Sequence, residues 1–258
     1  MDVWQKTTDN WSELCVAMGC TRIRVPGAVV QTYPINRSGS FYNSAFVQNP
    51  QSFVTKDVEH VFAERKLPFA IIVPRLKSFE ELGDSLMELG YSLSPPWMLM
   101  MLKELTSNSN REVIVEEIDR AKLKDWFELQ DAFPQVESSR LTRLEMIEKV
   151  SREKSAQLLL ASLQGRSVGA GLLFMKDKVA SIHMIVTLTS FRRRHVATTV
   201  TLEAVRRGKK DKPELIWLRT RRGGTGEKVY TRVGFKVISD ILSYTKTPQY
   251  EDSNLPPK

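Results

Sequence analysis

The chain has 258 residues, a length that favours two domains. Of these residues 41% are apolar and 26% are charged, and this apolar content is enough for ordinary folded cores. Its apolar runs are too short to span a bilayer, and the first residues lack the basic-then-apolar pattern of a secretory signal. Cys15 and Cys20 form neither a disulfide framework nor a zinc motif. We therefore expect a soluble, cytoplasmic, metal-free protein with no membrane partner.

The positive charge is concentrated in one segment. The net charge is +8, and residues 190–234 alone contain thirteen Lys and Arg against four Asp and Glu. These basic residues fall into three clusters, at Arg192–Arg194, Arg206–Lys212 and Arg219–Arg222. A solvated basic face is one explanation. The other is a polyanionic partner such as a nucleic acid, a membrane surface or a phosphate-rich cofactor.

Residues 1–108 are predicted to form a smaller α/β domain. Apolar, β-branched runs predict strands, and apolar residues at spacings of three and four predict helices. Ser78 and Glu81 form a capping box at the start of the second helix, and Gly90 ends it. The predicted elements are the strands Asn43–Val47, Phe69–Val73 and Trp97–Leu102 and the helices Thr55–Arg65 and Phe79–Leu89.

The polar stretch Thr106–Arg111 predicts a linker to a second domain, residues 109–247, and residues 248–258 are predicted to be a flexible tail. The element order expected in the second domain is β-α-α-β-β-β-loop-α-β-α-β. Its predicted strands are Val113–Ile118, Gln157–Leu163, Val168–Met175, Val179–Val186, Leu215–Thr220 and Phe235–Tyr244. Its predicted helices are Leu123–Phe133, a segment from Ser138–Ser139 or Thr142 to Val150, Thr198–Arg207 and Gly226–Val233.

Two local sequences in the second domain carry chemistry. The segment Phe191–Ala197 is predicted to turn from a strand into a helix, so that backbone N–H groups and the helix N-terminus point at one place and favour a phosphate. The second segment, Tyr230–Phe235, predicts a helix that a glycine ends before a strand begins.

Together these segments resemble the GNAT superfamily of acyl-CoA-dependent N-acetyltransferases. Arg192–Ala197 matches the Arg/Gln-x-x-Gly-x-Gly/Ala loop of the family except at one residue, and Tyr230–Phe235 fits its Tyr-x-x-x-Gly-Phe segment. The resemblance covers about residues 112–246. It implies an α/β (α+β) fold with a mixed central sheet and flanking helices. The first half resembles a degenerate, partial copy of the same arrangement, as in pseudo-tandem members, although an unrelated α/β domain is the alternative.

The resemblance also implies an activity, the transfer of an acetyl group from acetyl-CoA, as co-substrate, to a primary amine of a small molecule or protein. The cofactor-binding residues would be Met184, Ile185, Val186, Arg192, Arg193, Arg194, His195, Val196, Ala197 and Thr198. The Arg206–Lys212 cluster is a further candidate for the 3′-phosphate. Tyr230 stands where the family places the acid that protonates the CoA thiolate. His183 and Glu137 are candidates for the base that deprotonates the amine.

Two positions depart from the family pattern. His195 occupies the usual glycine of the phosphate loop, and Gly223 stands seven residues before Tyr230, where an asparagine is frequent. Two alternatives therefore remain open beside the enzyme. One is a catalytically silent acyl-CoA-binding relative, and the other is a basic nucleic-acid-binding protein.

Overall fold

The computed structural model describes residues 2–35, 42–132 and 140–246, which form seven α-helices and twelve strands. The helices are α1 Val3–Ala17, α2 Thr55–Arg65, α3 Glu80–Glu88, α4 Leu123–Asp131, α5 Arg140–Val150, α6 Val196–Lys209 and α7 Thr225–Val233. The first six strands are β1 Thr21–Val25, β2 Ala28–Thr32, β3 Ser44–Val47, β4 Ala70–Pro74, β5 Ser92–Leu93 and β6 Trp97–Leu102. The others are β7 Val113–Glu117, β8 Ala156–Leu163, β9 Arg166–Lys176, β10 Val179–Thr187, β11 Leu215–Arg221 and β12 Phe235–Thr245.

The expected mixed α/β fold, with a mixed central sheet and flanking helices, is confirmed, as is the element order of the second half. Two local predictions were wrong. The capping box at Ser78 is not formed. A 3-10 turn at Lys77–Phe79 precedes α3, so the N-cap of α3 is Phe79, whose side chain makes no capping hydrogen bond. Helix α6 begins at Val196, two residues before the predicted start, directly after the loop.

A single sheet runs through both halves of the chain. Its strand order is β1-β2-β3-β4-β12-β6-β11-β10-β9-β8-β7, and β5 pairs with β12 outside this path. Only the pairs β3–β4 and β10–β11 are parallel among the described strands. No border between two separate sheets coincides with the predicted domain boundary.

The two halves repeat one succession of elements. In each half, three antiparallel strands are followed by a helix, a strand parallel to the third, another helix and a last strand. The last strands are exchanged: β6 of the first half pairs with β11, and β12 of the second half pairs with β4. Strands β6 and β12 also pair with each other, so neither half completes its part of the sheet alone.

Helix α1 fastens the two halves together. Trp4 donates from Nε1 to the carbonyl of Val47 on β3, at 2.7 Å. Two turns later, Asn10 donates from Nδ2 to the carbonyl of Val179 on β10, at 3.1 Å, and accepts from Nε1 of Trp217 on β11, at 3.2 Å. These groups are buried, so the bonds satisfy polar atoms that water does not reach.

The predicted linker is irregular but firmly bound. Thr106 donates from its amide to the carbonyl of Val233 and from its hydroxyl to the carbonyl of Arg232, at 3.2 and 2.8 Å. Gly234 follows α7 with φ +114°, and its amide donates to the carbonyl of Tyr230, at 3.1 Å. The segment therefore holds the end of α7 against the sheet.

No helix of the described residues is long and apolar enough to cross a membrane.

We expect Gly234→Ala to reduce the free energy of unfolding by about 3 kcal/mol or more. A Cβ at this position would lie 1.6 Å from the carbonyl oxygen of Glu104, and φ is +114°. Gly90→Ala is the matched control, because φ is +83° there but no atom lies within 4 Å of the added Cβ. Its expected cost is the conformational part alone, about 1–2 kcal/mol. Urea unfolding measures both, and equal losses would contradict the steric explanation.

Candidate active site

The candidate site lies where the two parallel strands of the second half separate. The ladder between β10 and β11 ends at the pair Ile182–Leu218. Beyond it, β11 continues to pair with β6 as far as Arg221, while β10 breaks its register with β9 between His183 and Val186. The backbone groups of β10 beyond Ile182 therefore form no ladder with β11.

The irregularity in β10 is a bulge centred on Met184, whose φ is +55°. Gln130 of α4 donates from Nε2 to the Met184 carbonyl at 2.6 Å and so fixes the bulge from one face of the sheet. On β9, a Cβ at Gly171 would lie 2.6 Å from Ile185 and 2.8 Å from Val200 of α6. Glycine at this position therefore allows the bulge and α6 to approach the sheet closely.

The predicted phosphate loop has the backbone of an anion-binding turn. Arg193 and His195 both adopt left-handed conformations, with φ +64° and +61°, and Val196 starts α6 directly afterwards. The first N–H groups of a helix have no intrahelical acceptor, and they carry the positive end of its dipole. Left-handed residues before a helix start turn successive N–H groups toward one point, so the loop is built to receive an anion.

A residue of the predicted linker holds this loop in place. The side chain of Asn110 donates from Nδ2 to the carbonyl of Arg194, and the backbone N–H of Asn110 donates to Oγ1 of Thr199, both at 3.1 Å. The Thr199 hydroxyl in turn donates to the carbonyl of His195 at 3.0 Å. Asn110 therefore ties the loop to α6 from outside, and the sequence analysis did not single it out.

The loop, the bulge and α7 together enclose a cleft of about 600 Å³. Eight of the predicted site residues line it: Ile185, Val186, Arg192, Arg193, His195, Val196, Ala197 and Thr198 from the cofactor set. Tyr230 of α7 lines it as well. Segments more than thirty residues apart in the sequence thus meet at one cleft.

Tyr230 is the ionisable side chain with the most altered environment in the cleft. Burial raises the pKa of its hydroxyl to about 12, so the phenol keeps its proton at neutral pH. The ring lies beside Phe235, with 6.4 Å between the ring centroids. A Cβ at Gly226 would lie 3.1 Å from the Tyr230 ring and 2.5 Å from Oγ1 of Thr220, so the floor of the cleft is tightly packed.

His183 does not line the cleft. Its side chain is buried between Trp11 and Trp217, with ring centroids 5.1 and 5.5 Å away. Nε2 of His183 has no hydrogen-bond partner among the described residues. Burial, with a smaller effect of the Arg219 charge, lowers its pKa to about 3. The imidazole is therefore neutral at physiological pH and has little affinity for a proton.

The other predicted residues take varied positions. Met184 contributes the bulge but does not line the cleft, and the Arg194 guanidinium lies over the ring of Phe191, 5.6 Å from its centroid. Glu137 and the predicted tail, residues 248–258, lie outside the described residues. The three basic clusters do not form one surface. Arg207 pairs with Glu203 and Glu117, both at 2.9 Å, and Arg222 pairs with Asp240.

The Arg206–Lys212 cluster does not extend the phosphate site. It occupies the C-terminal end of α6 and the turn after it, and the 14 residues of that helix place it about 20 Å from the loop. Its charges instead complement the negative end of the helix dipole. The cleft residues not predicted as binding or catalytic are Thr187, Phe191, Thr220, Thr225, Gly226, Val229 and Arg232. Phe191 and Arg232 lie within the two segments singled out above, and Gly226 lies one helical turn before Tyr230.

Comparison with known proteins agrees with this geometry. Residues 128–244 match the family model "Acetyltransferase (GNAT) domain". The chain is similar in structure to a GCN5-related N-acetyltransferase from Kribbella flavida, with TM-score 0.71 and 14% identity over 97% of this chain and 98% of that one. A GCN5-related N-acetyltransferase from Sphaerobacter thermophilus gives TM-score 0.65 and 14% identity, over 85% of this chain and 76% of that one.

A tandem GNAT protein from the clavulanic acid biosynthesis pathway is also similar, with TM-score 0.56 and 12% identity, and the match covers 94% of this chain and 95% of that one. No curated protein sequence matches. At these identities the structural likeness concerns the fold, and the likeness to a tandem protein fits the repeated succession of elements in the two halves. Residues 128–244 match a GNAT acetyltransferase domain, and they lie in a sheet that both halves of the chain build.

Proposed function

We propose that the protein transfers an acetyl group from acetyl-CoA to a primary amine in the cleft between β10 and β11. One observation carries the proposal. A phosphate-type loop, an unpaired strand edge and a partly buried, protonated tyrosine line the same cleft of about 600 Å³. Each feature alone has a structural explanation, whereas their meeting at one cleft matches the needs of CoA-dependent acyl transfer.

The loop would bind the pyrophosphate of acetyl-CoA. Backbone N–H groups at residues 193–198 suit phosphate oxygens, and Arg192, Arg193 and Arg232 bring positive charge to the cleft wall. The pantetheine arm would pair with the free backbone edge of Met184–Val186, as an added strand does. Because the ladder between β10 and β11 ends at Ile182–Leu218, the thioester end of the substrate would enter the gap between the strands.

The chemistry is a direct attack. The neutral amine nitrogen attacks the thioester carbonyl carbon and an N–C bond forms. The C–S bond breaks with its electron pair leaving on sulfur, and the nitrogen releases one proton to solvent to give the amide. Tyr230 would donate its proton to that sulfur. A phenol whose pKa is raised to about 12 is fully protonated at neutral pH, and it is reprotonated from solvent after each turnover.

The amine must lose a proton before or during the attack, since an alkyl amine has a pKa near 10. His183 and Glu137 remain the candidates for the base. The low pKa of His183 and its distance from the lining of the cleft give its direct action little support. Alternatively, the amine loses its proton directly to water, and no protein base is then needed.

His195 bears on whether the domain is active. The left-handed φ of +61° is what glycine adopts without strain, which explains the family preference at this position. Here the histidine adopts the same backbone, so its N–H keeps the orientation that glycine would give it. Gly223, with φ +73°, likewise leaves open space at the usual asparagine position. The loop geometry therefore supports acyl-CoA binding, which the enzyme and a silent acyl-CoA-binding relative would share, and Tyr230 in the same cleft is the feature that favours the enzyme.

We expect Tyr230→Phe to lower kcat for acetyl transfer by about 10²-fold or more, the usual range for loss of a general acid. The ring and its packing against Phe235 are kept, so the Kd for acetyl-CoA should not change. Thiol release from CoA gives kcat, and calorimetric titration gives Kd.

Tyr244→Phe is the control for this variant, because Tyr244 is a buried tyrosine on β12 that does not line the cleft. It should leave both constants unchanged. Parallel losses of kcat and affinity in the Tyr230 variant would show that the tyrosine acts through packing and not as an acid.

We expect His195→Gly to preserve the affinity for acetyl-CoA and His195→Val to weaken it about tenfold. A β-branched residue is strained at positive φ, and about 1.4 kcal/mol of strain in the bound loop corresponds to a factor of ten. Lys66→Val is the control, since Lys66 has φ +50° at the end of α2, far from the cleft in the sequence and outside its lining. It should reduce stability alone. Equal affinities for the Gly and Val variants would contradict the proposed binding by the loop backbone.

A further inference from the structure

The bulge in β10 places two residues of that strand opposite one residue of β9. The register between the two strands shifts between His183 and Val186. Within this interval Met184 and Ile185 together stand opposite Gly171, which is the count that defines a bulge. The shape of the strand edge beside the cleft therefore depends on how this one irregularity is held.

The bulge also interrupts the alternation of side chains along β10. Successive residues of a regular strand point to opposite faces of the sheet. Here the ring of His183 contacts that of Trp11 on α1, and the next residue, Met184, packs against the same core as Trp11. Ile185 then packs against the core on the other face, together with Val200 of α6. The bulge thus sets which way the backbone groups of β10 point where the strand leaves β11.

Two side chains of α4 hold this bulge from one face of the sheet. Gln130 donates from Nε2 to the carbonyl of Met184, at 2.6 Å. Trp126, one helical turn earlier, donates from Nε1 to the carbonyls of Gly171 and Leu159, both at 3.1 Å. Residues four apart lie on the same side of a helix, so α4 binds carbonyl groups on both strands of the bulge.

The bond from Gln130 supports a strained conformation. The left-handed φ of Met184, +55°, is unfavourable for a residue with a Cβ, and such a conformation persists only where neighbouring groups hold it. Gln130 is buried, with 5% of its surface exposed, and water does not readily replace a donor that is lost in such a place. Removal of this donor therefore lets Met184 leave the left-handed conformation and changes the edge of β10.

We infer, on the basis of the function proposed above, that Gln130 is a positioning residue for acetyl-CoA. Through the carbonyl of Met184 it holds the edge of β10 in the shape that receives the pantetheine arm and the thioester. Gln130 is not among the described residues that line the cleft, so it acts through the backbone of the bulge and not by touching the substrate. Trp126 supports the same bulge from its β9 side.

This role separates the two ends of acetyl-CoA. The phosphate-type loop is held by Asn110 and by the first turn of α6, whereas the bulge is held by α4. The two supports share no residue. Loss of the bond from Gln130 therefore weakens the binding of the acetyl-pantetheine end and leaves the binding of the phosphates unchanged. A residue that only stabilised the fold would affect both ends alike.

Calorimetric titration of the full chain with acetyl-CoA and with adenosine 3′-phosphate 5′-diphosphate, the phosphate-bearing fragment of CoA, tests this role. We expect Gln130→Met, which keeps the length of the side chain but has no donor, to weaken acetyl-CoA binding about tenfold, the usual loss for a buried hydrogen bond. Affinity for the fragment should not change. Gln130→Asn, whose amide is one methylene too short to reach Met184, should give the same selective loss. Gln157→Met is the matched control, because Gln157 is a partly buried glutamine on β8 that does not line the cleft, and it should leave both affinities unchanged.

The outcomes separate this role from the proposed function. Equal losses for acetyl-CoA and for the fragment in both Gln130 variants would show that the glutamine only stabilises the fold. Unchanged affinity for acetyl-CoA in both variants would show that the bulge keeps its shape without this bond. Either result would overturn the positioning role and leave the acetyltransferase proposal standing. Failure of the unaltered chain to bind acetyl-CoA would instead refute the proposed function, and the positioning role with it.

Discussion

Strand β11 is bound unequally on its two edges, and the candidate site follows from that inequality. Strand β6 pairs with it from Trp217 to Arg221, whereas β10 pairs with it only as far as Leu218. The bulge at Met184 turns β10 away at the point where the ladder stops. A gap thus opens inside a continuous sheet, and the phosphate-type loop and Tyr230 line the cleft at this gap.

The first half of the chain has a structural role in this site even though it contains no phosphate loop of its own. It supplies β6, the strand with which β11 stays paired after its ladder with β10 ends, and helix α1, whose Asn10 bonds to both separating strands. The exchanged strands β6 and β12 make each half of the sheet depend on the other.

Much of the second half was predictable, because its signals are local. The strand-to-helix turn at residues 191–197 and the glycine stop at Gly234 mark the loop and the end of α7, and both elements are present in the structure. The exchange of β6 and β12 depends on pairing between distant segments, which leaves no local periodicity. Helix α1 was missed for a related reason: several of its buried positions are polar, among them Thr7, Asn10 and Ser12, so its sequence lacks a clear apolar stripe. The burial of His183 likewise depends on α1.

The measurement that tests the central claim most directly is calorimetric titration of the full chain with acetyl-CoA and, separately, with acetyl-pantetheine, which lacks the pyrophosphate. The account predicts one acetyl-CoA per chain, bound at moderate salt, and much weaker binding of acetyl-pantetheine, because the backbone N–H groups of residues 193–198 would then have no phosphate to bind. Equal affinities for the two compounds, two sites per chain, or no binding would contradict it.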